Sequence, residues 1–295
     1  MNKHAYLIIS HNNFEILKKL VQLIDDERND IFIHIDAKVE DFDFYFFSNL
    51  PQKSNIYFTD RISVSWGGFS QIESELILLE SASKYNYEYY HLLSGVDMPL
   101  KTQDYIHDFF EKNKGKEFLG YSKKWDKTRV KYKFYYNEIL RHKNNSLSIV
   151  YKKLLNKIFL VFQVLLIINK SKEINFYKGT NWFSITDELV KYIIKNKQEI
   201  NKIYKHSILC DEVFIHTLVM NSSFKDRLYR FYHEDEYEAN LRYIDWVRGN
   251  PYVFKVNDFD SLINSEFLFA RKFDEKVDFD IVKKIFINLK DKSYE

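Results

Sequence analysis

Two carboxylates stand where apolar runs of this chain end. Tyr89-Tyr90-His91-Leu92-Leu93-Ser94 breaks at Gly95 and delivers Asp97 ahead of Met98-Pro99, and Ile31-Phe32-Ile33-His34-Ile35 delivers Asp36, with His34 two positions earlier. Ligands of open α/β sheets bind just beyond the carboxyl ends of the strands, so this layout suits a nucleotide or sugar-nucleotide. A third carboxylate, Glu212, lies in Cys210-Asp211-Glu212-Val213-Phe214-Ile215-His216. With Asp211 as N-cap, Glu212 falls in the first turn of a helix. There it either complements the helix dipole or acts as a general base that takes a hydroxyl proton as the oxygen attacks. Arg248, Arg271 and Lys272 carry the opposite charge. Loss of a nucleoside diphosphate develops negative charge that a divalent metal or fixed Arg and Lys side chains can neutralise. Each of the three reads equally well, in isolation, as part of a solvated basic turn.

A metal would need several oxygen ligands. The chain has three Asp-x-Asp triplets, Asp41-Phe42-Asp43, Asp258-Phe259-Asp260 and Asp278-Phe279-Asp280, but none ends a long apolar strand. The clear strand ends carry single carboxylates, so metal-independent chemistry is favoured and no metal or cofactor is expected. No pair among the nine histidines has a zincin spacing. Ser65-Trp66-Gly67-Gly68-Phe69-Ser70 precedes a helix and lets backbone approach a ligand closely, although it lacks the dinucleotide and P-loop spacings.

The elements that must position these residues alternate. Strands are predicted at Ala5–Ser10, Ile31–Ile35, Ile56–Phe58 and Tyr89–Leu93, and helices at Asn13–Ile24, Ser70–Lys84 and from Tyr105 behind an N-cap at Thr102. That alternation predicts an α/β fold with a mostly parallel central sheet flanked by helices. A strand at Trp182–Thr186, helices at Asp187–Lys195 and around Asp211–Val219, and a strand near Leu241–Trp246 follow. Between these halves, Lys123–Lys143 is basic and aromatic, and Asn144-Asn145-Ser146 reads as a loop. An apolar helix then runs from Ile149 to Ile168 with Lys152, Lys153 and Lys157 near its start. Its apolar core is short for a membrane span, which needs ~20 residues. A buried helix, a membrane-surface helix and a dimer contact all remain open for it. No repeat or linker divides the chain, so one domain over 1–295 is expected.

Composition narrows the classes. The 295 residues carry 44 Lys and Arg against 42 Asp and Glu, a balance that argues against a nucleic-acid partner. The 22 Tyr and 26 Phe fit a large core and also sugar-stacking surfaces. The lone Cys210 leaves no disulfide framework or thiolate zinc cluster. Met1-Asn2-Lys3-His4 leads straight into a strand rather than a secretory leader, so a cytoplasmic protein is expected, with peripheral contact at the inner membrane face as an option.

Six segments occur in order: Ile33–Lys38, Val64–Ser70, His91–Lys101, Lys178–Ser184, Asp211–Leu218 and Phe267–Asp274. Together they resemble the core-2/I-branching β-1,6-N-acetylglucosaminyltransferase family, which also contains peptide O-xylosyltransferases. The resemblance implies a GT-A-type fold and inverting, metal-independent transfer from a UDP-sugar, giving a β-linkage. GlcNAc is the first choice of donor sugar, with xylose, glucose or galactose as alternatives. It further implies that Glu212 is the base and that Arg271, Lys272 and Arg248 face the diphosphate. His34, Asp36, Trp66 and Asp97 would line the donor side, and Trp182 and Trp246 the sugar and acceptor side. The animal members carry an anchor, a stem and many disulfide cysteines, none of which is seen here. The chain therefore looks like a compact bacterial relative acting on a glycan or lipid-linked glycan in surface-polysaccharide synthesis. A rival from another class is a catalytically silent carbohydrate-binding subunit.

Overall fold

The computed structural model describes residues 3–134, 146–166, 168, 174–230 and 238–292. Strands β1 (His4–Ser10), β2 (Asn29–Ile35), β3 (Asn55–Phe58) and β4 (Tyr89–Ser94) lie parallel in the order β3-β2-β1-β4. β1, β2 and β4 read as near-continuous apolar runs because both sheet faces are covered. Alternate residues serve opposite layers: Tyr6 and Ile8 join one core, Ala5 and Leu7 the other. Helices Phe14–Ile24 and Asp280–Asp291 cover the first face, and Ser70–Ala82 and Asp187–Lys195 the second. Each fully buried Leu, Ile or Val contributes about 1.5–3 kcal/mol, so both layers are costly to disturb.

The alternation in the first half is as expected. Thr102 caps helix Gln103–Lys112, its hydroxyl accepting from the Tyr105 N–H at 3.3 Å. Strand β5 (Met98–Pro99) follows β4, and β6 (Phe118–Ser122) enters the main sheet at its far edge. The expected strand at Trp182–Thr186 is longer: β7 spans Lys178–Thr186 and runs antiparallel between β4 and β6. Pairing on both edges extends it backwards past residues whose alternation alone did not mark a strand. The main sheet is therefore mixed, four parallel strands followed by an antiparallel insertion.

The C-terminal part adds β8 (Arg242–Ile244) and β9 (Phe269–Arg271), which form a second sheet in the order β5-β9-β8. Ile244 pairs with Arg271 in that sheet, so residues from the last third arrive at the carboxyl ends of β1 and β4. Two elements differ from the sequence expectation. The helix expected around Asp211 begins at Phe214, and Cys210–Val213 is a turn closed by hydrogen bonds from Val213 and Phe214 N–H to the Cys210 carbonyl. Asp211 therefore caps nothing and Glu212 lies in a turn. The apolar helix runs Ser146–Leu165 rather than from Ile149, so Ser146 belongs to it and not to a loop. The expected Asn144-Asn145 loop and residues 135–143 of the basic aromatic segment lie outside the described residues.

Candidate functional site

A cleft of about 670 Å³ opens where the carboxyl ends of β1, β2 and β4 meet β7 and the small sheet. Of the sequence-nominated residues, Glu212, Asp36, Trp66, Trp182, Trp246 and Arg271 line it; His34, Asp97, Arg248 and Lys272 do not. Its centre is Glu212. The Glu212 carboxylate accepts from the Arg129 guanidinium at 2.9 Å, and the Lys178 ammonium stands 3.3 Å away. Arg129 comes from the short helix Thr128–Lys131 and Lys178 from the start of β7.

The turn carrying Glu212 is fixed by its backbone. The Glu212 carbonyl accepts from Gly179 N–H at 2.9 Å. Gly179 is required for that approach, because a Cβ there would sit 1.8 Å from the Gly120 carbonyl oxygen and 2.3 Å from the His216 ring. On the other side, the Leu209 N–H donates to the Gly67 carbonyl at 2.9 Å. Gly67 has a φ of 76°, the left-handed region that favours glycine. The Trp-Gly-Gly segment thus clamps this turn as well as presenting the exposed Trp66 ring to the cleft.

Two further carboxyls sit behind Glu212. Asp211 is buried and accepts from the Gln71 side-chain amide at 3.0 Å. Burial, and after it the charge of Glu212, pushes its carboxyl up to about 7. Glu75, wholly buried on helix Ser70–Ala82, has the Asn181 side chain as its polar neighbour. Burial and the nearby Asp211 push it well above the usual carboxylate range. The site therefore pairs one partly exposed carboxylate flanked by cations with two buried acids held toward their neutral forms.

The opposite wall is cationic and aromatic. The Arg271 guanidinium lies 4.3 Å from the centroid of the Trp182 ring and donates to Asp97 at 2.8 Å. Asp97, fully buried, also accepts from the Ser94 N–H at 2.8 Å. Burial raises its carboxyl while Arg271 opposes the shift. Asp97 thus aims Arg271 at the cleft from beneath. Asp36 follows β2 at the rim, accepting from the Lys38 N–H at 2.9 Å with the Lys38 ammonium 3.4 Å away. His34, on the same strand, is buried and accepts from the Ile62 N–H at 3.2 Å, which fixes the loop after β3.

Arg248 is committed elsewhere: it donates to Asp245 and, at 2.7 Å, to Asp258, and stacks 4.0 Å from the Tyr252 ring centroid. The Asp-x-Asp triplets are likewise used by local structure. Asp43 accepts from Phe46 N–H at 2.8 Å, Asp258 from Lys255 N–H at 2.8 Å, and Asp278 from Asp280 N–H at 3.0 Å. Among the described residues no group of three or more His, Cys, Asp or Glu side chains converges in metal-binding fashion.

Sequence reasoning missed Arg129, Lys178, Glu75, Gln71, His11 and Lys38 as lining or Glu212-binding residues. Lys178 and Gln71 lay in or beside quoted segments, but only the register of β7 and the pitch of helix Ser70–Ala82 turn them inward. Arg129 had no local signal, because nothing in its neighbourhood foretells a contact across 83 positions. Arg242 was also missed. It is buried under the cleft, donates to the Ser184 hydroxyl at 2.9 Å, and is brought down to about 9 by burial.

Comparison with known proteins gives matches of three kinds. The sequence model described as core-2/I-branching enzyme matches residues 4–262. A xylosyltransferase of Caenorhabditis elegans is 24% identical over 94% of this chain and 35% of its own length. Xylosyltransferase 2 of Rattus norvegicus is 23% identical over 95% of this chain and 33% of its own. A β-1,3-galactosyl-O-glycosyl-glycoprotein β-1,6-N-acetylglucosaminyltransferase of Bos taurus is 23% identical over 99% of this chain and 70% of its own. The chain thus spans about a third of the length of the first of these curated relatives. Among solved structures, mouse xyloside xylosyltransferase 1 in its apo form aligns with a TM-score of 0.37 at 10% identity, over 92% of this chain and 97% of that one.

Proposed function

The chain belongs to the core-2/I-branching enzyme family, and from that premise we propose that it is an inverting glycosyltransferase of GT-A type. It moves a sugar from a UDP-sugar to a glycan hydroxyl without a metal ion. The observation that carries this reading is Glu212, held by Arg129 and Lys178 on one side of a cleft whose other wall presents Arg271 stacked on Trp182. The acceptor oxygen attacks the anomeric carbon and its proton passes to Glu212. The bond from that carbon to the diphosphate oxygen breaks, and the departing UDP takes the electron pair. Arg271 meets the charge that develops, and Lys38 is the second cation at that rim. Trp66, Trp182 and Trp246 offer flat apolar faces for sugar rings. The use of all three Asp-x-Asp triplets in helix starts and turns supports cationic rather than metal stabilisation of UDP.

GlcNAc is the proposed donor sugar, in line with the bovine relative's name; xylose is the second reading, favoured by the xylosyltransferases among the relatives. The acceptor is a glycan, free or lipid-linked. UDP release measured across a panel of UDP-sugars, with EDTA and then with magnesium or manganese, tests the reading. One donor should give EDTA-resistant release, and Glu212→Gln should cut it by about 10²–10⁴-fold while leaving UDP affinity nearly intact. Release abolished by EDTA, or unchanged in the Glu212→Gln variant, contradicts it. UDP binding without turnover on any donor or acceptor would leave the silent carbohydrate-binding reading.

A further inference from the structure

The helix Ser146–Leu165 turns half-buried Leu155, Phe159 and Leu160 inward, yet a second apolar stripe faces outward. Its buried positions are polar: Asn156 is 6% and Gln163 2% exposed. Gln163 is spent on the backbone of Lys133, accepting from its N–H at 3.0 Å and donating to its carbonyl at 3.1 Å. Among the described residues the Asn156 side-chain oxygen has no hydrogen-bond partner. The outward face carries Leu154, Ile158, Val161, Phe162 and Leu165, between 45% and 71% exposed. These recur at helical spacing on one side, where a helix of a water-soluble domain presents polar residues.

Charge decides what covers this face. The helix contains Lys152, Lys153 and Lys157 and no Asp or Glu. Lys153 and Lys157 are exposed on one flank of the apolar stripe. A second copy docked through the same face would oppose like charges across a two-fold axis. An anionic surface satisfies both parts, the lysines by attraction and the apolar stripe by burial. No helix among the described residues is long and apolar enough to cross a membrane, so a bilayer contact of this one would run along the surface. At ~1.5 Å per residue it would extend about 30 Å there.

We propose that helix Ser146–Leu165 docks this protein onto an anionic lipid bilayer. The docked helix is tied to the cleft by short steps. Gln163 holds Lys133, the next residue Phe134 donates to the His206 carbonyl at 2.7 Å, and Arg129, four residues before Lys133, grips Glu212. Docking therefore fixes the Glu212 side of the cleft relative to the bilayer, where a lipid-borne acceptor would be presented. The docking itself does not depend on the transferase reading.

The test is co-flotation of the full chain with vesicles of equimolar phosphatidylcholine and phosphatidylglycerol, and with phosphatidylcholine alone. The chain should float with the anionic vesicles, and salt should weaken the association. Ile158→Glu combined with Phe162→Glu should lower the partition coefficient more than tenfold. Lys153→Gln and Lys157→Gln should each lower it about fivefold, the factor corresponding to ~1 kcal/mol per basic residue near such a surface. All four side chains are exposed, so the thermal midpoint should stay put. Failure to float with anionic vesicles, or equal flotation of the Glu variant, overturns the proposal. So does a wild-type dimer in light scattering that the Glu variant converts to monomer without vesicle binding, since a second copy would then cover the face.

Discussion

Glu212 is oriented by partners that come from distant parts of the chain, and this makes its geometry separable from its chemistry. Arg129→Ala removes the 2.9 Å contact but leaves the carboxylate in place beside Lys178. A misplaced base slows the chemical step without weakening donor binding. Turnover should therefore fall by roughly 10²-fold with the donor KM nearly unchanged, as steady-state kinetics would show. A raised KM with unchanged turnover would mean that Arg129 binds substrate instead. Asp211 offers a different measurement. Its carboxyl is pushed up to about 7 in the fold, against about 3.9 in an unfolded chain. Between those values the native state keeps a proton that the unfolded state has released, so this group's contribution to stability falls as pH rises from about 4 to 7. Asp211→Asn removes that slope. Relative to wild type, its thermal midpoint should be more favourable at pH 8 than at pH 4, by up to about 4 kcal/mol in stability. Equal differences at both pH values would place the Asp211 titration at its ordinary position.

At the scale of elements, β7 organises the site. Its first residues bring Lys178 to Glu212, its middle brings Trp182 to Arg271, and Gly179 allows the Glu212 turn to close on it. Gly179→Ala would drive a methyl into the Gly120 carbonyl and the His216 ring, both buried and backed by packed neighbours. Overpacking of this kind costs about 1–3 kcal/mol, and more where backbone must move. Gly120 sits at the irregularity between Leu119 and Tyr121 in the β6–β7 pairing, where its carbonyl already closes on Gly179, so the loss should be about 1–3 kcal/mol in denaturant unfolding. A change below ~1 kcal/mol would show that the turn relaxes freely. These elements also mark how far the sequence could be read. β1, β2 and β4 were legible because strands covered on both faces are apolar over near-continuous runs, and helix Asp187–Lys195 because its buried Leu189, Val190 and Ile193 follow the helical period. β6 and the first half of β7 were not, since their pairing is long-range and Lys178-Gly179-Thr180-Asn181 has no strand pattern of its own. The same reason hid Arg129, whereas Glu212 was visible through its motif. The Asp211 cap failed because the side chain found a tertiary partner, Gln71, in place of a helix N-terminus.

Over the whole molecule, the cleft is assembled from both ends of the chain, and its stability is therefore shared with regions that touch no ligand. Arg271 and Trp246 are delivered by the small sheet, which is pinned to the main sheet through β5 and backed by helix Asp280–Asp291. That helix buries Ile281, Val282, Ile285 and Leu289 in the same core as Tyr6 and Ile8 of β1. Four such side chains represent about 6–12 kcal/mol of burial, as large as the whole stability of a typical fold, about 5–15 kcal/mol. The last helix thus packs on helix Phe14–Ile24 in the core that also holds the first strand. Ile285→Ala isolates that packing with a single cavity. It should cost about 2–5 kcal/mol and lower the thermal midpoint by roughly 5–15 °C. Below that midpoint UDP release should proceed at the wild-type rate, because no lining residue of the cleft has changed. If the C-terminal helix instead melted by itself, calorimetry would show an early minor transition in Ile285→Ala, with the main midpoint unmoved. One displaced transition with activity retained beneath it would establish that the last helix and the cleft fold as one cooperative unit.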